Sequence, residues 1–242
     1  GAGNVARSPT TPRWHSMGTT AVVDGWMRLA RSGTGRMVPM PSTRPTRDLV
    51  LASTSRYRAE LMDTLGLDYV AAAPDVDERA LDHRFAGLGA DGYVLELARA
   101  KARSVAATHP DALIIGGDQA AVLTVDGSDT LLHQPGGRDR AIEQLMEMSG
   151  TTHRLVNGLV VLDAGSGIEH HEIDIHVITM RAYHRTEAAA YVDAFEPYDC
   201  AGGYRLEDDA DLIASVVGED PSGVIGLPLP SLRRLLAACG IL

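Results

Sequence analysis

Five stretches of this chain carry residue types that could do chemistry, and each also has a plainer structural reading. In Leu51-Ala-Ser-Thr-Ser-Arg-Tyr-Arg58 an apolar, β-compatible run meets two serines and two arginines. A helix starting at Arg56 with Ser55 as N-cap would present free N–H groups and a partial positive charge, which suit an anion. The hydroxyls of Ser53 and Ser55 and the Arg58 guanidinium would add donors. The plainer alternative is a capped helix with solvated arginines. The chain's single lysine is Lys101, every other long basic residue being arginine. It falls on a helical stripe with Val94, Leu97, Ala98, Ala102 and Val105, so it points toward the protein. An inward ammonium needs anions beside it, unless its stem lies on the core and its head reaches water.

Asp118 follows an apolar run and two glycines in "ALIIGGDQ". The glycines leave room for another backbone or a ligand, and in α/β sheets ligand groups gather at strand ends. A carboxylate there is a candidate metal ligand or general base. Just upstream, "PDVDER" supplies Asp75, Asp77 and Glu78. One of these with Asp118 could hold a hard cation such as Mg²⁺, which keeps waters and bridges to phosphate oxygens. A solvated acidic loop is the alternative. "EHHEIDIHV" looks like a metal cluster, because His170, Glu172, Asp174 and His176 alternate onto one side of a strand. It lacks zinc spacing, and the solvent-facing side of an antiparallel strand accounts for it better.

The elements that must position these residues form an alternating series. Strand 48–53 leads into helix 56–66, and strand 68–74 into the acidic loop. Helix 91–107 precedes strand 112–125, the turn "DGSD" and helix 138–150. Strands 152–163 and 168–183 are joined by the turn "AGSG". Helix 186–195, a loop through "CAGGYRLEDD" and a closing helix from "PLPSL" complete the chain. Alternating helices and strands with two adjacent long strands imply one α/β domain on a mixed sheet. Residues 1–46, rich in Gly, Pro, Ser, Thr and Arg, read as a largely disordered extension before a domain at 47–242.

The bulk numbers narrow the function classes. Net charge is −10, and residues 1–47 carry seven Arg against one Asp, or +6, so the remainder is near −16. An acidic body argues against a nucleic-acid partner, which needs a basic face. No run approaches the ~20 apolar residues of a membrane helix. Two cysteines, Cys200 and Cys239, make no disulfide framework, so a reducing compartment and a cytoplasmic location are expected.

Several motifs occur together and in order: "LASTSRYR", "VDE", "LARAKA", "IIGGDQ", "SGTTHRLVNGLVVL", "CAGGYRLED" and "VIGLPLPSL". Over residues 48–242 the chain resembles the Maf family of nucleoside triphosphate pyrophosphatases. The resemblance implies a mixed, partly antiparallel α/β sheet flanked by helices, with a deep active-site cleft, often in a homodimer. It implies cleavage of a nucleoside triphosphate to monophosphate and pyrophosphate with Mg²⁺ or Mn²⁺. Ser53, Ser55 and Arg58 would bind the triphosphate. Glu78 and Asp118 would be the acidic centre, holding metal or activating water, and Lys101 would contact phosphate. Gln119 and Gln134 would be further substrate contacts.

Three positions suggest the branch acting on 7-methyl-GTP: an aromatic at Tyr57, a basic residue at Arg205 and an acid at Glu207. A 7-methylated guanine is cationic, which an aromatic face attracts, and a carboxylate accepts from the guanine N1–H and 2-amino edge. There are departures. His133-Gln134-Pro135 stands where the family usually has Gly-Lys-Pro, so Gln134 supplies no charge. Tyr57-Arg58-Ala59 has one arginine fewer than the branch, with Arg56 one place earlier. An alternative therefore follows from Gln134: a nucleotide-binding regulator with weak or lost catalysis.

Overall fold

A computed structural model describes residues 13–15, 47–206, 208 and 211–242. Strand β1 is Arg13–His15, β2 Leu49–Ala52, β3 Val70–Ala72 and β4 Leu113–Val125. Strand β5 is Ser128–Leu132, β6 Thr152–Asp163, β7 Glu169–Met180 and β8 Ile213–Val217. The α-helices are α1 Arg56–Asp63, α2 Phe85–Ala106, α3 Arg138–Met148, α4 Arg185–Phe195, α5 Ser222–Ile225 and α6 Leu229–Ala238. A 3-10 turn, Arg79–Arg84, precedes α2.

The strands form one mixed sheet in the order β1-β8-β7-β6-β4-β2-β3, with β5 also on β4. Strand β2 pairs in parallel with β3 and β4. Strands β4, β6 and β7 are long antiparallel neighbours. The expected mixed α/β sheet flanked by helices is therefore observed. Several of its elements differ from expectation, the short helix α5 among them. Strands β5 and β8 are additional to the expected set. Helix α2 starts earlier than expected, with a non-helical break at Gly89 (φ 67°). The loop before it contains the 3-10 turn. Apart from Arg13–His15, which pairs with β8, the expectation for residues 1–46 falls outside the described residues.

The period-two rule accounts for the layers. Leu49, Leu51, Leu113, Ile115, Leu159 and Val161 face α1 and α6 in one cluster. Val50, Ala52, Ile114, Val160 and Leu162 face the opposite way, onto Ala98, Ala102 and Val105 of α2. The outer ends of β4, β6 and β7 carry a third cluster with α3 and α4. The contact with α2 is close because β4 and β6 present glycines there. A Cβ on Gly116 would lie 2.2 Å from the Ala98 carbonyl oxygen, and one on Gly158 would lie 2.7 Å from the Val94 backbone. Close approach of another backbone, expected at "GG", is what is found.

Candidate active site

Alternation along β4 decides which way each candidate points. Strand β2 ends at Ala52, opposite Gly116, so the next residues of β4 lie just past the end of the parallel pair. Asp118 has the parity of Ile114 and Gly116 and faces α2. Gln119 faces the other side.

Lys101 comes down onto Asp118 from α2. Its Nζ is 2.5 Å from Asp118 Oδ1 and 2.7 Å from Glu78 Oε1. Lys101 and Asp118 are each 6% exposed, so the ammonium is held by two carboxylates and does not snorkel to water. Burial raises the Asp118 pKa above the carboxylate range, while the Lys101 and Arg58 cations pull it back. Glu78, at the head of the 3-10 turn, is the residue of "PDVDER" that reaches the pair. Asp75 and Asp77 do not: the Asp75 N–H donates to Ser104 Oγ, and Asp77 Oδ1 accepts from the Ala80 N–H.

The β2–α1 junction brings Arg58 within electrostatic reach of Asp118. Ser55 caps α1, its hydroxyl accepting from the Arg58 N–H at 3.3 Å, and the Ser55 N–H donates to Ser53 Oγ at 3.1 Å. Buried Ser53 stands beside this cap at the α1 N-terminus. Arg58 Nε donates to the Gly226 carbonyl at 2.9 Å, which fixes its guanidinium close enough to act on Asp118. Tyr57 is 38% exposed, with the Arg56 guanidinium 5.3 Å from its ring centroid.

The remaining candidates are more scattered. Gln119 Nε2 donates to the Gly223 and Val224 carbonyls at 2.9 and 3.2 Å and to Asn157 Oδ1 at 3.1 Å, so it ties down the α5 loop. Gln134 is exposed between β5 and α3. Its neighbour His133 lies 3.5 Å from Asp82 Oδ2, and Asp82 accepts from the Tyr93 hydroxyl at 2.6 Å. The carboxylates of Asp82, Asp118 and Glu78 all raise the Tyr93 pKa after burial does, so this cluster borders the acidic pair. The Arg205 guanidinium is taken up by the Phe195 carbonyl and Asp199. Glu207 lies outside the described residues.

The "EHHEIDIHV" strand departs from expectation. It is not a solvated polar face at its far end: Asp174 and His176 are buried. Nor do they belong to a metal cluster, since no group of three or more metal-ligating side chains occurs among the described residues. Register places Gln119, Asn157 and Asp174 side by side across β4, β6 and β7. Asn157 Nδ2 donates to Asp174 Oδ2 at 3.0 Å and to the Gly223 carbonyl at 2.8 Å. Asn157 sits inside the motif "SGTTHRLVNGLVVL" but carries no local chemical signal of its own, because its importance lies in a pairing set by register.

Fold and site together define a class: an α/β protein that gathers an acidic pair, a buried ammonium and a capped helix terminus past the end of a parallel pair of strands. The Maf-like protein family model matches residues 48–239, and the chain belongs to that family. A Bordetella pertussis protein named 7-methyl-GTP pyrophosphatase is 42% identical over 205 residues, 84% of this chain and 96% of its own. Proteins of the same name from Alkalilimnicola ehrlichii and Pseudomonas fluorescens are 41% and 38% identical. These alignments cover 79% and 80% of this chain, and 93% and 97% of theirs. Among the described residues no helix is long and apolar enough to cross a membrane.

Proposed function

We propose that this chain hydrolyses a nucleoside triphosphate, 7-methyl-GTP or a close relative, to the monophosphate and pyrophosphate. The observation that carries this reading is the convergence of Glu78, Lys101 and Asp118 beside the Ser53–Arg58 helix terminus. The relatives' shared name supports it and points to the substrate.

The acidic pair suits Mg²⁺ or Mn²⁺. Glu78 and Asp118 converge on one ammonium, and their contacts with Lys101 use one oxygen of each, leaving the other for a cation. Two carboxylates match an ion that takes its remaining ligands from water and phosphate. Such an ion, when bound, neutralises phosphate charge and polarises the scissile phosphorus. Glu78 and Asp118 would hold it.

The chain's own groups supply the rest. The α1 terminus, Ser53, Ser55 and Arg58 bind and orient the triphosphate. Water attacks the α-phosphorus, its proton passes to the Asp118 or Glu78 carboxylate, and the bond to the α,β-bridging oxygen breaks. Burial raises the basicity of Asp118, which favours it for that proton. Lys101 and Arg58 stabilise the departing pyrophosphate. Tyr57, which already carries a guanidinium near its face, offers a surface for a cationic base. Glu207 and the Arg205 loop would read the base edge.

The regulator alternative has no observation in its favour: the named relatives are pyrophosphatases by name, and the acidic pair and ammonium are all in contact. Pyrophosphate release from 7-methyl-GTP, GTP, dTTP, UTP and CTP with Mg²⁺ or Mn²⁺ tests the proposal. We expect 7-methyl-GTP to be fastest and Asp118→Asn to lose about 10³-fold or more in rate with its fold intact. An unaffected Asp118→Asn rate would refute the assignment.

A further inference from the structure

The α5 loop is held by a row of buried polar groups that the reaction chemistry does not use, with His176 and Asn157 each bonded to its backbone. It starts at the Asp220 carbonyl, which is 2.8 Å from His176 Nε2. A carbonyl only accepts, so Nε2 carries the hydrogen. His176 Nδ1 lies 3.0 Å from Asp174 Oδ2, off the line of a good hydrogen bond. Asp174 accepts from Asn157, and Asn157 returns to the loop at the Gly223 carbonyl. Asn157 and His176 are each 1% exposed and Asp174 is 7% exposed.

The loop is shaped to this support. A Cβ on Gly218 or Gly223 would lie 2.0 or 2.3 Å from the His176 ring, so both glycines let backbone rest on the imidazole. Three residues beyond Gly223, the Gly226 carbonyl receives Arg58 Nε. Gly226 has φ 107°, a conformation that favours glycine, and a short turn from Ser222 leads to it. The position of that carbonyl is thus set by what holds residues 220–224.

We propose that Asn157, Asp174 and His176 are positioning residues that act through the α5 loop and its Gly226 carbonyl to preorganise Arg58 for the triphosphate. The inference rests on the triphosphate reading above. An Arg58 that is not held must be ordered when substrate binds, which costs about tenfold in affinity for one long side chain. The loss appears in Kd and in kcat/KM alike, because Arg58 both binds the triphosphate and stabilises the departing pyrophosphate, and it disappears when Arg58 is absent.

The test is a double-mutant cycle of His176→Phe with Arg58→Ala. It is read as kcat and KM for the fastest nucleoside triphosphate, and as calorimetric Kd for an α,β-methylene nucleoside triphosphate. We expect His176→Phe to raise Kd about tenfold and to lower kcat/KM by at least that factor, and to add less than about twofold to either once Arg58 is absent. The same tenfold loss in the Arg58→Ala background would overturn the inference, as would no loss in the single variant. If His176→Phe does not fold, Asp174→Asn, which keeps the side-chain shape, enters the same cycle. A wild-type protein that binds the analogue without turning over any triphosphate removes the pyrophosphatase reading, while the Kd cycle still decides the network.

Discussion

Lys101 shows how a residue's type and its place combine. Arginine is the chain's habitual cation, and its planar fork differs from a compact ammonium in shape and hydration. At this point a charge must fit between two carboxylate oxygens beneath a helix that lies almost on the sheet. Lys101→Met would leave Asp118 buried beside a methyl group, and breaking a buried pair from one side is costly. We expect it to lose about 3 kcal/mol in urea unfolding, and Lys101→Met with Asp118→Asn to recover most of that. A double variant no more stable than the single would show that the pair's burial is not what holds the helix here.

At the scale of elements, the site depends on how closely α2 approaches β4 and β6. The helix brings Lys101 and the sheet brings Asp118, and the two meet because Gly116 and Gly158 have no side chains. At Gly116 the obstacle to a Cβ is a backbone carbonyl 2.2 Å away, which cannot swing aside as a side chain would. Gly116→Ala must therefore lift α2 from the sheet. We expect about 1–3 kcal/mol of destabilisation from this overpacking. Turnover should fall further than stability, because Lys101 moves with the helix. Denaturant melts and rates on the same sample would separate the two, and native activity in the Gly116→Ala variant would contradict this account.

Across the whole molecule, one buried hydrogen bond joins the long hairpin to the loop after α4. His153 Nε2 is 2.7 Å from the Tyr204 hydroxyl, and its Nδ1 has no partner among the described residues. Burial pushes the His153 pKa down to about 4. The unfolded chain therefore binds this proton first as pH falls from about 6.5. The stability that His153 supports is complete above about pH 6.5 and declines as pH falls toward 4. By pH 4.5 the loss from this one group is on the order of 2–3 kcal/mol. His153→Gln, which keeps a partner for Tyr204, should flatten the decline between pH 7.5 and 4.5 by that amount in urea melts. An unchanged slope would assign the acid sensitivity to other groups.

Much of this protein was legible in its sequence because local patterns carry period and polarity. The 3.6-residue stripe turned Lys101 inward, the paired glycines marked a close contact, and Ser55 announced the start of α1. The ordered motifs placed the chain in its family. What lay beyond the sequence depends on pairing between distant segments. Nothing local told Glu78 from Asp75 and Asp77, since the choice falls to whichever carboxylate the 3-10 turn carries to Lys101. Asp174 and His176 looked solvated because alternation tells which residues share a face, not whether a loop covers that face. The row of Gln119, Asn157 and Asp174 exists through the register of β4, β6 and β7, set by the packing of whole strands. Side-chain types and periodicities are properties of short segments and survive in the sequence; register, burial and the meeting of separate segments arise when the sheet closes against its helices, and only the tertiary structure decides them.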